Sequence, residues 1–421
     1  MIMDIMAWIG VLAVVSVLGA LFFPDWPRPD ERMEYRSSPG SDDFVATVAG
    51  VIGIPVYRGG QATVLQNGDA FYAAMLEAIR GARDTITFEV YIFDPDETGR
   101  RFLDAFIERA RNGVEVRLLF DWFGSIRFKK KYVRELRNAG IKVEFFRPLA
   151  LRNLVRIYRR NHRRAIVIDG EIAFTGGAAI SKKWAGDARH EEEWRDSMTR
   201  VTGHLVTGIQ AAFTTNWVYC TGEVLAGPRY FPAHTSTEGA VALSVVSSPS
   251  DAMQPIRMLY WMSFASARKR LWIASSYFIP DHHFRNIARE RARAGVDVRI
   301  LVPGKHTDAI PVKLAGQCYY EELLRDRVRI FEFQPSMMHA KTIVVDDAWT
   351  LIGSANMDER SMELNEENAL GIMDEGFASA VAAGNEQDFA RSREIHLGEW
   401  LCRPWYHRVV ERAAEILLEQ Y

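Results

Sequence analysis

The sequence predicts an α/β protein made of two similar αβα halves, each with a central mixed to mostly parallel sheet, packed around one shared active site. Three observations carry this. The segment RARNGVEVRLL at 109–119 returns as RARAGVDVRIL at 291–301 with mostly conservative changes. Apolar strand-like runs alternate with helical patterns in both halves, which argues βαβ units. A histidine with a cation two residues on, an aspartate five residues after that, and then a Gly-Gly or Gly-Ser pair occurs once per half.

The elements follow in order. From Ile5 to Phe23 the chain carries no charge. Nineteen residues at helical rise span about 28 Å, close to a bilayer core. Trp8 and Trp26 suit its two interfaces. A cleaved signal peptide would want a basic start, and only Asp4 precedes the run. Residues 1–26 therefore read as a membrane anchor in the form of one transmembrane helix. Arg28, Arg32 and Arg36, diluted by Asp25, Asp30 and Glu31, place the bulk of the chain on the cytoplasmic side of the cell membrane. Residues 27–63 read as linker and lead-in, with Pro, Ser and charge concentrated over 24–43. Phe44–Tyr57 is apolar but too short to span, and is expected to be a packed core segment rather than one dipping into a membrane.

The first half is expected over 64–235 and the second over 236–421. Each reads helix, strand (85–93; 270–279), helix, Gly turn, strand (114–120; 296–302). A short apolar strand follows each motif histidine, and a further strand leads to the glycines. Near the C-terminus, Val409, Val410, Ala413, Ile416 and Leu417 recur at helical spacing. That stripe is expected to pack against the second half.

Composition excludes several functions. The net charge is −2, so no whole-chain basic signature points to nucleic acid. Cys220, Cys318 and Cys402 are too few and too scattered for a disulfide framework or metal spacing. No nucleotide or metal motif is evident, and no cofactor is expected.

The chemistry lies in His339, Lys341, Asp346, Gly353, Ser354 and Asn356. On a strand, His339 and Lys341 point to one face. Asp346 follows the strand end. Gly353 and Ser354 let backbone approach an anion and offer N–H groups. Lys341, Asn356 and those amides would hold a phosphate. The first copy is His162, Arg164, Asp169, Gly176 and Gly177, with Arg164 replacing lysine and Ala179 replacing the asparagine. An imidazole is a competent nucleophile for a phosphodiester, and a second can supply a proton to the leaving alkoxide.

This pattern resembles the signature of the phospholipase D superfamily, and within it the bacterial cardiolipin synthases, from about Val64 to the C-terminus. The likeness is carried by 89–93, Arg160–Arg163, Trp194–Asp196 with Arg200, Tyr277–Asp281, and Asn356–Ser361 with Leu364 and Asn365. The resemblance implies phospholipase D-like halves and a phosphohistidine intermediate. It implies phosphatidyl transfer from one phosphatidylglycerol to another, with hydrolysis, head-group exchange or a weakened lipid-binding relative as alternatives. His162 is then the nucleophile and His339 the general acid and base, although the order is open. Asp196 and Glu367 would face the non-attacking nitrogen of the histidines. Arg164, Lys341 and Gly177 would contribute to the phosphate site. Asp169 and Asp346 belong to the motif in an architectural role. Fourteen Lys and Arg between Arg127 and Arg164, against Glu135 and Glu144, would attract anionic lipid.

Overall fold

A computed structural model describes residue 33 and residues 37–149, 158–249, 251 and 253–418. The expected anchor at 1–26 lies outside these residues. Among the described residues no helix is long and apolar enough to cross a membrane.

The lead-in is built, not bare linker. Ser41 caps the helix Asp42–Ile52 by accepting the Phe44 amide, and Gly53 ends it at φ 75°. Phe44, Val45, Val48 and Ala49 are buried, and Phe44 meets Trp349 edge-on at 5.2 Å. This is the packed segment expected from the apolar run. Strand β1 (Tyr57–Arg58) then joins the sheet of the second half, beside β9.

The first sheet has seven strands: β2 (Ala62–Gln66), β3 (Thr85–Val90), β4 (Glu115–Asp121), β5 (Lys142–Phe146), β6 (Ala165–Ile168), β7 (Ile172–Gly176) and β8 (Ser197–Thr202). Their order is β2-β8-β7-β6-β3-β4-β5. The second sheet adds β9 (Val241–Ser247), β10 (Arg270–Ala274), β11 (Asp297–Pro303), β12 (Arg329–Phe333), β13 (Thr342–Val345), β14 (Trp349–Gly353), β15 (Glu367–Met373) and β16 (Ser392–Ile395) to β1. Its order is β1-β9-β15-β14-β13-β10-β11-β12-β16.

Both sheets are mixed, but antiparallel pairing dominates, which corrects the mostly parallel expectation. Only β3-β4-β5 and β10-β11-β12 run parallel, and helices make those crossovers. The strands after the motif histidines, β6 and β13, turn back within three residues into β7 and β14. So short a connection allows only antiparallel pairing.

Strand alternation divides the core. Ile166 and Ile168 of β6 face a core with Phe88, Phe102 and Phe106, between sheet and helices. Ala165 and Val167 face the opposite way, into a second core with Trp272, Val344 and Ile352 of the other sheet. That second core holds the halves together and fixes the register of the motif strands.

The C-terminal segment packs against the second half as expected, but part of its apolar stripe faces outward; the side chains of Ile416 and Leu417 lie outside the described ones. In the helix Trp405–Leu418, Val409, Val410 and Ala413 are exposed, while Glu411, Ala414 and Glu415 are buried. The helix packs against Ile310–Gln317, with Glu411, Ala414 and Glu415 on its buried side. Arg403 pairs with Glu411 at 2.6 Å, which satisfies that buried carboxylate.

Candidate active site

Each motif histidine sits just before a buried strand, on a stretch that pairs across the two halves. His162 N–H donates to Glu366 O at 2.9 Å, and Glu366 N–H to Arg160 O at 2.8 Å. In the other half, His339 N–H donates to Arg195 O at 2.7 Å, and Arg195 N–H to Met337 O at 2.9 Å. Glu366 and Arg195 each precede a carboxylate residue. The paired backbones thus set each histidine against the carboxylate of the opposite half.

His162 Nδ1 lies 2.8 Å from Glu367 Oε1, and His339 Nδ1 lies 2.6 Å from Asp196 Oδ2. A carboxylate accepts, so each Nδ1 carries the proton and each Nε2 keeps its lone pair. Both carboxylates are fully buried and held by other donors. Asp196 accepts from Ser197 N–H at 2.8 Å and from Trp184 Nε1–H at 2.8 Å. Glu367 accepts from the Ser354 hydroxyl and from Asn365 Nδ2 at 3.2 Å.

The cations occupy matching places. Lys341 Nζ donates to His339 O at 2.6 Å, and Arg164 Nη1 donates to His162 O at 2.7 Å. Lys341 also donates to the Ser276 hydroxyl. By strand register Ser276 takes the place that Tyr91 has in the first half. Arg164 instead turns its Nη2 onto His162 Nε2 at 2.8 Å. Tyr91 stacks edge-on against His162 at 5.0 Å, and Trp184 against His339 at 5.1 Å.

Burial governs the charges. It lowers the His162 pKa to about 4, and Arg164 adds to the effect against the pull of Glu367. Burial and then Lys341 lower His339 to about 3, against Asp196. Burial lowers Lys341 to about 7, partly opposed by Asp196. For Asp196 and Glu367 burial pushes upward, but the facing histidines and hydrogen bonds outweigh it and hold both carboxyls below their usual value. Arg164 and Lys341 each act on both imidazoles, so the two motifs form one electrostatic unit.

These shifts predict acid sensitivity. Between pH 6.5 and about 4 the folded chain binds fewer protons at His162 than the unfolded chain, and His339 extends the window to about 3. Stability therefore rises with pH across that window and is lost as pH falls through it, by roughly 1.4 kcal/mol per pH unit for each imidazole. Urea unfolding of wild type at pH 5 and pH 7 is expected to differ more than that of a His162→Asn/His339→Asn variant. Equal pH dependence in the two proteins would remove this account.

The remaining sequence candidates divide. Asn356 is buried with its Oδ1 unpartnered, next to Met357, whose amide donates to Ser275 Oγ. Gly353, Ser354 and Gly177 depart from the expected phosphate-cradling role. Their amides donate to Lys341 O, Asn368 O and Ser197 O respectively, so the sheets consume them. The glycines make room instead: a Cβ on Gly177 would stand 2.2 Å from Asp196 Oδ1, and one on Gly353 would stand 2.3 Å from Asn368 O.

Asp169 and Asp346 lie at the far ends of the motif strands, at φ 55° and 53°. Asp169 accepts the amides of Arg83, Asp84 and Thr85, and Asp346 those of Arg268, Lys269 and Arg270. Both act on backbone, as the architectural reading expects. Of the basic run, Lys129, Lys130 and Lys131 are exposed, but Arg147, Arg160, Arg163 and Arg164 are buried. Arg163 and Arg147 pair with Glu366 at 3.1 and 3.4 Å. The run is thus partly an internal fastening between the halves rather than a continuous surface ramp; 150–157 lie outside the described residues.

Sequence reasoning gave no site role to Trp184, Ser276, Asn365 or Tyr91, although Tyr91 and Asn365 lie in stretches that carry the resemblance and Ser276 stands just before another, Tyr277–Asp281.

Known proteins resemble this chain over most of its length. Residues 75–207 and 262–391 match the family described as "Cardiolipin synthase, PLD-like domain". Cardiolipin synthase 1 of Bacillus cereus is 32% identical, over 96% of this chain and 87% of that protein. Cardiolipin synthase of Alkalihalophilus pseudofirmus is 35% identical, over 86% and 73%. Cardiolipin synthase A of Pseudomonas aeruginosa is 34% identical, over 88% and 75%. Phosphatidylserine synthase of Haemophilus influenzae shares the fold with a TM-score of 0.66 at 16% identity, covering 90% of this chain and 98% of that one. Polyphosphate kinase of Porphyromonas gingivalis matches with a TM-score of 0.54 at 12% identity, covering 86% and 53%. The chain belongs to the cardiolipin synthase family of the phospholipase D superfamily.

Proposed function

We propose that the chain moves a phosphatidyl group from one phosphatidylglycerol to the glycerol hydroxyl of another, giving cardiolipin and glycerol. The observation that carries this is the pair of imidazoles whose Nδ1 atoms are each held by the opposite half's carboxylate. That arrangement leaves two Nε2 atoms for reaction, with Arg164 and Lys341 beside them.

The phosphodiester anion takes the guanidinium of Arg164 and the ammonium of Lys341 as counter-charges. Arg164 leaves His162 Nε2 free, and that lone pair attacks phosphorus. The bond from phosphorus to the glycerol oxygen breaks, and protonated His339 gives its Nε2 proton to that oxygen. The bound anion's charge favours the imidazolium needed for this step. Glu367 stabilises the charge that develops on His162. In the second half-reaction His339 takes the proton of the acceptor hydroxyl, whose oxygen attacks phosphorus. The phosphorus–nitrogen bond breaks and His162 is restored.

The closer cation supports His162 as nucleophile: Arg164 Nη2 lies 2.8 Å from His162 Nε2 and so requires a lone pair there, against 3.3 Å from Lys341 Nζ to His339 Nε2. Asp169 and Asp346 stay outside the chemistry. A surrounding anionic membrane suits the exposed Lys129, Lys130 and Lys131, and an anchor at 1–26 would hold the site on the cytoplasmic face.

The full chain supplied with phosphatidylglycerol vesicles is expected to yield cardiolipin and glycerol in equal amounts. Phosphatidic acid instead would make it a hydrolase, and no product would make it a weakened lipid-binding relative. Arg164→Lys restores the lysine of the second motif. It is expected to keep transfer within roughly tenfold of wild type, because the cation that faces phosphate is retained. A loss beyond a hundredfold would show that the two-pronged contact to His162 is essential.

A further inference from the structure

We propose that the C-terminal helix Trp405–Leu418 is an interfacial lipid-binding element, seated along the surface of an anionic bilayer. This goes beyond the catalytic reading and does not depend on which acceptor is used.

The helix is amphipathic with its apolar side turned out. Trp405 is 74% exposed, Tyr406 53%, Val409 56% and Val410 49%. These residues fall at i, i+1, i+4 and i+5, so they share one face. Glu411, Ala414 and Glu415 are the residues turned inward. Glu411 accepts from Arg403 at 2.6 Å, and Glu415 from Arg412. The outward surface therefore carries aromatic and branched apolar groups with Arg408 and Arg412, and both glutamates are withdrawn from it. Such a face opposes water but matches a headgroup boundary: cations meet lipid phosphates, Trp and Tyr sit at headgroup level, and valines reach the acyl edge.

The surface also continues toward the reaction. The helix packs on Ile310–Gln317, and a cavity of about 500 Å³ between them is lined by Ile310, Leu314, His407 and Glu411. Ile310 is itself 64% exposed. Two residues before it, Asp308 accepts from the Tyr277 hydroxyl at 3.0 Å. Tyr277 follows Ser276, the partner of Lys341. The exposed apolar helix is thus joined through one short segment to the second motif, where a lipid headgroup must arrive.

The test uses the full chain in vesicles of phosphatidylcholine and phosphatidylglycerol. Val409→Cys, with exposed Cys402 replaced by serine, carries an environment-sensitive fluorophore. Glu386→Cys in the same background, at an exposed position that does not line this cavity, is the water-facing reference. Quenching by acyl-labelled lipid is expected to be several-fold stronger at 409 than at 386. A companion Arg408→Glu/Arg412→Glu variant is expected to lose at least half of it, and circular dichroism checks that its fold is retained. Equal, weak quenching at both positions overturns the proposal. So does a Val409 cross-link between two copies, or shielding without lipid that disappears when residues 1–23 are deleted. Lipid quenching without cardiolipin synthesis would leave this inference standing and remove the catalytic one; synthesis without quenching would do the reverse.

Discussion

Replacing His162 with alanine is expected to lower cardiolipin formation by roughly 10⁴-fold or more, because it removes the atom that bonds to phosphorus. The fold should survive, since Ser354 and Asn365 still donate to the buried Glu367 and the backbone bond from residue 162 to Glu366 remains. His339→Ala is expected to differ in kind. Its loss removes the proton donor to glycerol and the base for the acceptor, worth roughly 10²–10⁴-fold. A substrate analogue whose leaving group needs no proton should recover the first half-reaction in His339→Ala and not in His162→Ala. Stopped-flow release of an acidic phenol from a phosphatidyl ester would separate the two. Equal recovery in both variants, or recovery only in His162→Ala, would reverse or remove the assignment.

The second large effect is expected at Glu367. Glu367→Gln leaves a side chain of the same size but takes away the acceptor that holds the proton on His162 Nδ1. The amide can donate to Nδ1 instead, which moves the proton to Nε2 and removes the nucleophilic lone pair. A loss of about 10³-fold or more in kcat is expected, with a much smaller change in KM. Asp196→Asn should act on His339 in the same way, and so impair mainly the proton-transfer step. The pairing across halves makes this test sharp. Glu367, from the second half, should behave as a partner of the first motif, and Asp196 as a partner of the second. The leaving-group analogue reads this out: it should rescue Asp196→Asn and fail to rescue Glu367→Gln. Rescue in the opposite sense would contradict the crossed arrangement.

Much of this was legible in sequence because the repeat copies both fold and chemistry. The segments at 109–119 and 291–301 become equivalent helix–turn–strand units, and the motif histidines sit at equivalent strand starts. The two carboxylates were also visible. Their crossing was not, because it is made by backbone pairing of Arg160–His162 with Glu366 and of Met337–His339 with Arg195. Such long-range pairing leaves no trace in local spacing. The amides of Gly177, Gly353 and Ser354 were misjudged for a related reason: a glycine pair after a strand equally suits an anion cradle or a close approach of two strands. Here Ser197 of β8 takes the Gly177 amide, Asn368 of β15 that of Ser354, and Lys341, just before β13, that of Gly353. Parallel pairing was overestimated because the helical crossovers are conspicuous in sequence, whereas the turns at Asp169 and Asp346 are short. The terminal helix misled for another reason. Periodicity locates an apolar face but does not say whether protein or something else covers it.

The central claim is a covalent phosphatidyl–His162 intermediate in a site made by both halves. It is tested most directly by quenching the full chain during its first turnover with phosphatidylglycerol labelled at phosphorus, then locating the label by peptide mass spectrometry. The label is expected on His162, lost in mild acid and stable in base, as a phosphoramidate should be. Label on His339, or active turnover with no covalent label at any time, would contradict the account.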